Sequence, residues 1–278
     1  AMDEEQKALD YFYRALEVKP EFAGAHANIG SFYLSRNNFS KAKTHLLKAL
    51  ELAPNSYEKR VKAGDLYFKQ KQYAKAKNHY QKAAQRYPEE FYPVIQLGII
   101  SLNQKNHTDA KKYFTRALEK GAEKYLAHYY LGLSELLENN FSHGIRHFKK
   151  SIELNPEFVK PKIKLADTYL AAKDDEKALD LYNKILSQEG PSFHCLNKTA
   201  QIYLDKEQYA QALSKFEKAY QENSNDPSVI QSIAFLYAKF QEYEKAAAKF
   251  EELEEFMPES PLLYYNLACM YSESGEKE

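Results

Sequence analysis

A small residue returns every 34 positions along the whole chain, at Gly30, Gly64, Gly98, Gly132, Ala166, Ala200, Ala234 and Ala268. A fixed period with no insertion constrains the fold more than any local preference, because each unit must be the same supersecondary element stacked on its neighbour. A second small column keeps the same spacing at Ala8, Ala42, Ala76, Ala110, Gly144, Ala178, Ala212 and Ala246. Four residues after it runs a bulky column of Phe12, Leu46, Tyr80, Phe114, Phe148, Tyr182, Phe216 and Phe250. Two antiparallel helices approach closely only where one side chain is small, and a ring then fills the space beside it.

Within each unit the apolar spacing is helical, as in Ile29 and Tyr33 on one segment and Ala42, Leu46 and Ala49 on the next. Short polar turns such as Ser35-Arg36-Asn37-Asn38 lie between the segments. Ser40, Thr108 and Ser142 stand where the second helix of a unit is expected to begin, so their hydroxyls are expected to cap its free amides. Pro20, Pro54, Pro88, Pro156 and Pro258 punctuate the unit ends, where proline stops one helix and starts the next.

This pattern resembles the tetratricopeptide repeat, whose consensus places a small residue at position 8, Tyr at 11, Ala at 20, an aromatic at 24, Ala at 27 and Pro at 32. Residues 23–56 match with Gly30, Tyr33, Ala42, Leu46, Ala49 and Pro54, and residues 57–90 with Gly64, Tyr67, Ala76, Tyr80, Ala83 and Pro88. The resemblance covers essentially the whole chain. It implies an all-α fold, a right-handed superhelical solenoid of antiparallel helix pairs. Seven full repeats are expected at 23–56, 57–90, 91–124, 125–158, 159–192, 193–226 and 227–260. A lone second helix at 3–22 and a lone first helix at 261–278 flank them.

Departures from the consensus are legible too. Ser101 and Glu135 replace Tyr at position 11, so helix packing there is expected to differ, while Gly190-Pro191 and Ser224 replace the terminal Pro and are expected to loosen two junctions. Tyr264, Leu267 and Tyr271 leave an apolar stripe on the last helix. Terminal repeats usually carry a polar capping face, so the chain reads as a fragment of a larger protein. Self-association through that helix is the weaker reading.

Charge and motif content narrow the function. Lys and Arg number 39 against 39 Asp and Glu, leaving no net field to draw nucleic acid or an anionic membrane. No apolar run reaches the roughly 20 residues of a membrane span, and no signal peptide is evident in the sequence. Cys195 and Cys269 lack metal or disulfide spacing and read as free thiols. No GxGxxG, GxxxxGK[ST], GxSxG or HExxH motif occurs, so no cofactor and no catalytic residues are expected. His143 and His147 are four apart on one helix, a spacing that could place two imidazoles on a metal. With no third ligand nearby they read as a solvated helix face. Asn38, Asn106 and Asn140 open Asn-X-Ser/Thr triplets at equivalent repeat positions, which turn and capping chemistry explains more simply than glycosylation.

In the resembled family the first helices line a concave groove through positions 2, 5, 9, 12 and 13. The third and fourth repeats would place Tyr92, Ile95, Ile99 and Leu102, then Leu126, Tyr129, Leu133 and Leu136 there. The fifth and sixth would offer Lys160, Ile163 and Asp167, then His194, Asn197, Gln201 and Asp205, with Lys164 and Lys198 beside them. An exposed apolar stretch of this size marks an interaction site, and the lysines suit an acidic flank. Intramolecular core is the competing reading of the same apolar residues. The family's carboxylate clamp is not expected, because Ala27 and Ser31 stand where its Lys and Asn would be. The expected function is a scaffold or adaptor that binds partner helices or extended peptides. The alternatives are a regulatory peptide receptor and the substrate-presenting arm of an enzyme whose catalytic domain lies elsewhere.

Overall fold

A computed structural model describes residues 2–119 and 124–275 of the chain. Every regular element among them is a helix, and the chain divides into two compact units, residues 1–155 and 156–278. The first unit contains α1 (Met2–Val18), α2 (Ala23–Ser35), α3 (Phe39–Leu52), α4 (Tyr57–Lys69), α5 (Tyr73–Arg86), α6 (Tyr92–Asn103), α7 (His107–Leu118), α8 (Lys124–Leu137) and α9 (Phe141–Leu154). The second contains α10 (Val159–Ala171), α11 (Asp175–Gln188), α12 (Phe193–Asp205), α13 (Tyr209–Glu222), α14 (Pro227–Lys239), α15 (Tyr243–Glu252) and α16 (Pro261–Gly275), with a 3-10 turn at Leu253–Glu255. Within each unit every helix packs on the next in sequence, and the hairpins α2–α3, α8–α9 and α12–α13 make the most extensive contacts. Each unit is thus an all-α array of stacked helix pairs.

The small-against-large columns are where the hairpins lock. A methyl group added at Gly64 would lie 2.7 Å from the Tyr80 ring, and one at Gly132 would lie 2.6 Å from the Phe148 ring. Such distances are far inside van der Waals contact, so these helices approach as closely as they do only because no Cβ is present. Tyr80, Phe114, Phe148, Tyr182, Phe216 and Phe250 are all fully buried. In the second unit Ala166, Ala200 and Ala234 hold the glycine's place, also fully buried.

The turn inside each hairpin departs from what glycine statistics suggest. Asn37, Lys71, Lys105, Asn139, Lys173, Glu207 and Gln241 all adopt left-handed backbone, with φ between 56° and 61°. The next residue's amide then donates back five residues, as from Asn106 to Ser101 at 2.8 Å and from Gln208 to Tyr203 at 2.8 Å. That closes a Schellman motif at the end of each first helix, normally a glycine's task. The same geometry corrects the expected caps. Asn38 and Asn106 accept from Lys41 N and Asp109 N, whereas Ser40, Thr108 and Ser142 sit one residue inside their helices. The left-handed residue brings the chain into the second helix two positions earlier than the hydroxyls, so the Asn side chain meets the free amides first.

Position 11 differs between repeats, as expected. Where it is Tyr33, Tyr67, Tyr169 or Tyr237, a lysine eight residues on lies over the ring, at 4.9 Å for Lys41 and 5.3 Å for Lys75. At Ser101 the hydroxyl folds back to Leu97 O at 3.0 Å. At Glu135 the carboxylate pairs with Lys111 of the preceding helix at 3.0 Å. An ionic tie between helices therefore replaces a cation stacked on a ring. On α16, Leu267 is buried in a cluster with Ile230, Phe250 and Leu253, which corrects its place in the expected apolar stripe. Tyr264 and Tyr271 stay exposed, and their hydroxyls donate to Pro258 O and Glu251.

Two outcomes follow for urea unfolding. Gly132→Ala is expected to destabilise by about 1–3 kcal/mol through overpacking, with Phe148→Leu in the same chain recovering part of the loss. A neutral Gly132→Ala would show that the hairpins do not depend on this contact. Lys105→Gly is expected to stabilise by up to about 1 kcal/mol by relieving the left-handed residue, and a loss instead would assign the Lys105 side chain a stabilising role.

Candidate binding faces

In the first unit, α6 and α8 touch directly and present the apolar stretch read from the sequence. Tyr92, Ile99, Leu102, Leu126, Leu133 and Leu136 are half-buried, and the first four of them pack against the core cluster. Two of the expected lining residues are not on that surface. Ile95 is 1% exposed and belongs to the continuous cluster that includes Val61, Leu97, Ile100 and Ala127. Tyr129 is 9% exposed, with its ring 6.1 Å from Phe148 and edge-on to Tyr130 at 5.2 Å. Stacked first helices close over position 5, so side chains there become core. Leu137, one position beyond the expected set at Leu136, is 57% exposed and extends the stripe.

The second unit offers a polar face on α10 and α12. Lys160 is exposed, Ile163 packs against the Ala166–Tyr182 cluster, and Lys164 pairs with Asp167 at 2.9 Å. On α12, Gln201 donates to Asn197 at 3.2 Å and accepts from Lys198 at 3.3 Å. Asp205 at the helix end is exposed.

Asp167 is less a groove residue than an internal acceptor. Its side chain is 20% exposed and takes hydrogen bonds from Tyr182 Oη at 2.6 Å and His194 Nε2 at 2.7 Å. The first unit repeats this arrangement, with Tyr80 and Tyr92 donating to Asp65 at 2.6 and 3.0 Å. The two carboxyls nonetheless titrate in opposite directions. Burial pushes Asp65 above the usual carboxylate range and outweighs its two phenol partners. Burial acts the same way on Asp167, but hydrogen bonds from His194, Tyr182 and Lys164 hold it well below that range. Lys62, the counterpart of Lys164, is drawn to Glu58 at 2.8 Å instead.

The sequence carried a signal for this network that column reading alone passes over. Position 24 is tyrosine only at Tyr80 and Tyr182, in the same repeats whose position 9 is Asp65 or Asp167. A phenol replaces the ring hydrocarbon where a carboxylate waits for it.

Two histidine pairs are a further arrangement that sequence spacing did not suggest. His26 Nδ1 and His45 Nδ1 are 3.0 Å apart, and His128 Nδ1 and His147 Nδ1 are likewise 3.0 Å apart. Each pair joins position 4 of a first helix to position 23 of its own second helix, and the two pairs lie 102 residues apart in the chain. His147 thus pairs with His128 across the hairpin, and His143 four residues before it is exposed. Burial, with His128 and Arg146 adding to it, pushes His147 down to about 4. Burial also lowers His128 and His45, helped in the first case by Lys150 and in the second by His26.

Other chemistry is sparse. Among the described residues no three His, Cys, Asp or Glu side chains gather closely enough to hold a metal, and no helix is long and apolar enough to cross a membrane. Cys195 is buried, and burial raises its thiol, the opposite of a reactive thiolate.

The lowered histidines set an acid dependence. A histidine whose folded pKa lies below its unfolded value near 6.5 binds fewer protons when folded, so stability rises with pH across the gap. Its contribution is fully present above about pH 6.5 and is lost as pH falls toward about 4, the folded value for His147. The melting temperature is expected to drop over that interval, and His147→Gln to flatten the drop. An unchanged slope in the variant would show that this pair does not titrate there.

Sequence profiles of the tetratricopeptide repeat match residues 23–56, 61–90, 95–157 and 163–190, together more than half of the chain. No curated protein matches the sequence. Among solved structures, a chain of the APC/C hetero-tetramer Cut9–Hcn1 is similar at 15% identity with a TM-score of 0.62, over 96% of this chain and 52% of that one. A tetratricopeptide repeat protein from Parabacteroides merdae is similar at 16% identity with a TM-score of 0.61, over 90% and 98% of the two chains. Pseudomonas aeruginosa PilF is similar at 18% identity with a TM-score of 0.50, over 92% and 97%. At these identities the likeness is one of fold, and the chain spans about half the length of the first of them.

Proposed function

The chain belongs to the tetratricopeptide-repeat family, whose members are generally non-catalytic protein-interaction scaffolds, and from that premise we propose that it binds a partner protein on the apolar face of α6 and α8. The observation that carries this reading is the chemistry of position 9. It is Ile99 and Leu133 on these two helices, against Ser31, Asp65, Asp167 and Gln201 on α2, α4, α10 and α12, while α14 carries Phe235 and α16 Cys269, so α6 and α8 are the neighbouring first helices with an aliphatic residue at both. Outward apolar surface costs solubility unless something covers it.

The ligand that suits this face is a helix with apolar residues along one stripe, or an extended segment with alternating apolar anchors. Leu126, Leu133 and Leu137 repeat at seven and four residues, the spacing of one helix face, and Ile99 and Leu102 lie on the neighbouring helix. In the second unit Lys160, Lys164, Asn197, Lys198 and Gln201 form the polar counterpart, suited to acidic or amide side chains of a partner. Lys164 and Asp167 are paired with each other, so Lys160 is the cation more readily given to a ligand.

The test uses the immobilised chain to capture partners that mass spectrometry identifies. Ile99→Glu with Leu133→Glu is expected to lose the captured set while circular dichroism shows unchanged helicity. Because both residues are half-buried, Leu137→Glu serves as a second variant at an exposed site, with an expected loss of about tenfold in affinity for the captured partner, as for one well-packed interface residue. Capture of the same proteins at the same strength by both variants would remove this face from consideration.

A further inference from the structure

On the second helices a cation stands at one place in successive repeats, at Lys48, Lys82, Arg116, Lys150 and Lys184, always 34 residues apart. Three of them have an acid at hand. Lys48 pairs with Glu51 at 2.9 Å, Lys150 with Glu153 at 2.7 Å and Lys184 with Asp180 at 2.7 Å. After Lys82 the place of Glu51 and Glu153 is taken by Gln85, and α5 carries Lys75, Lys77, Lys82 and Arg86 with no Asp or Glu. Arg60, Lys82, Gln85 and Arg86 line a cleft of about 360 Å³ whose wall holds no carboxylate. Among the described residues Arg60, Lys82 and Arg86 make no ion pair, and Glu58, on the same helix as Arg60, is taken by Lys62. Three unpaired cations around one cleft repel each other, and a bound anion relieves that repulsion.

Arg60 and His79 hold the places that His26 and His45 hold in one repeat and His128 and His147 in another. In those repeats the two rings bond to each other. Here Arg60 instead donates from Nη2 to Pro54 O, which orients its guanidinium, and the buried His79 Nδ1 has no hydrogen-bond partner among the described residues. Burial first, then Arg60 and Lys82, hold His79 below the ordinary imidazole range. His79 therefore senses the charge of the cleft wall.

A second cleft, of about 400 Å³, shares Gln85 with the first and is lined by Ala84, Leu97, Tyr113 and Arg116 as well. Ala84 and Leu97 are buried, Tyr113 is half-buried, and Arg116 is exposed and makes no ion pair among the described residues. We propose that the two adjoining clefts bind a phosphorylated serine or threonine of a partner protein, its phosphoryl group held by Arg60, Lys82 and Arg86 and the apolar side chain beside it lying on Ala84 and Leu97.

The cluster selects the anion. A phosphorylated hydroxyl carries about two negative charges near neutral pH and three acceptor oxygens, which suits two guanidiniums and an ammonium better than a single carboxylate does. Single-stranded RNA is held by stacking successive bases on rings, and Tyr113 is the one ring lining either cleft. The clefts use none of the residues of the apolar face of α6 and α8, so variants separate the two sites.

The full chain is titrated by NMR at about pH 6.5, the ordinary imidazole value, with a short blocked peptide in which phosphoserine precedes leucine. The unphosphorylated peptide is expected to bind about tenfold more weakly or worse. Inorganic phosphate is also expected to bind more weakly, because it leaves the second cleft unfilled. The Cε1 proton resonance of His79, identified by its loss in His79→Gln, is expected to move toward its protonated position as the phosphopeptide binds. Lys82→Gln and Arg86→Gln, both at exposed sites, each weaken binding about fivefold or more, whereas Lys184→Gln, at the equivalent place beside Asp180, leaves it unchanged. Equal binding of the two peptides, inorganic phosphate binding as tightly as the phosphopeptide, a stationary His79 resonance, binding that survives Lys82→Gln with Arg86→Gln, or tighter binding of oligouridine would each overturn the proposal.

Discussion

Everything in this molecule hangs on a contact between a missing side chain and a ring. Where Gly64 or Gly132 faces Tyr80 or Phe148, the two helices of a hairpin come together at a distance that not even a methyl group would allow. The ring, wholly buried, fills the space on either side of the close approach. The small-against-large contact recurs along the array and sets the spacing of each hairpin, on which the stacking of neighbouring repeats rests. The second unit meets the same demand with alanine at Ala166, Ala200 and Ala234, all fully buried.

Once the hairpins are locked, their turns have little freedom. Seven non-glycine residues in left-handed backbone accept a local cost of about 1–2 kcal/mol each because the back-bonded turn satisfies the carbonyls at the end of the first helix. The turn also decides which side chain caps the second helix, and it chooses Asn38, Asn106 and Asp174. Asn140, at the same position, spends its amide on Glu135 and Glu138 instead.

The outward positions of the first helices carry two kinds of load. At Asp65 and Asp167 they hold an internal acceptor that ties the buried tyrosine of one repeat to the first helix of the next. At Ile99 and Leu133 the buried ring is Phe114 or Phe148, which has no hydroxyl to satisfy, and position 9 is left apolar. The apolar face is therefore found in the repeats whose internal packing makes no polar demand on it. The histidine pairs obey a similar economy, one ring from each helix satisfying the other inside the hairpin.

The helix pairs, the close-packed columns and the family were legible in the spacing of Gly, Ala and aromatic residues, because a strict period makes every repeat a measurement of the same geometry. The face of α6 and α8 was legible as a set of positions, but not which members reach solvent. Ile95 and Tyr129 became core because neighbouring first helices close over them, a matter of stacking that no single helix encodes. The pairing of His147 with His128 in place of His143 was hidden for the same reason, since i, i+4 spacing reports neighbours along one helix and the partner stood across the hairpin. So was the opposite titration of Asp65 and Asp167, which turns on the donors that reach each carboxylate, His194 foremost at Asp167 with Tyr182 and Lys164 beside it, against two phenols at Asp65. Period and residue size alone determined the architecture. Only the tertiary structure decided which side chains are surface, which are paired and which are charged, because those depend on distances between helices that sequence spacing does not measure.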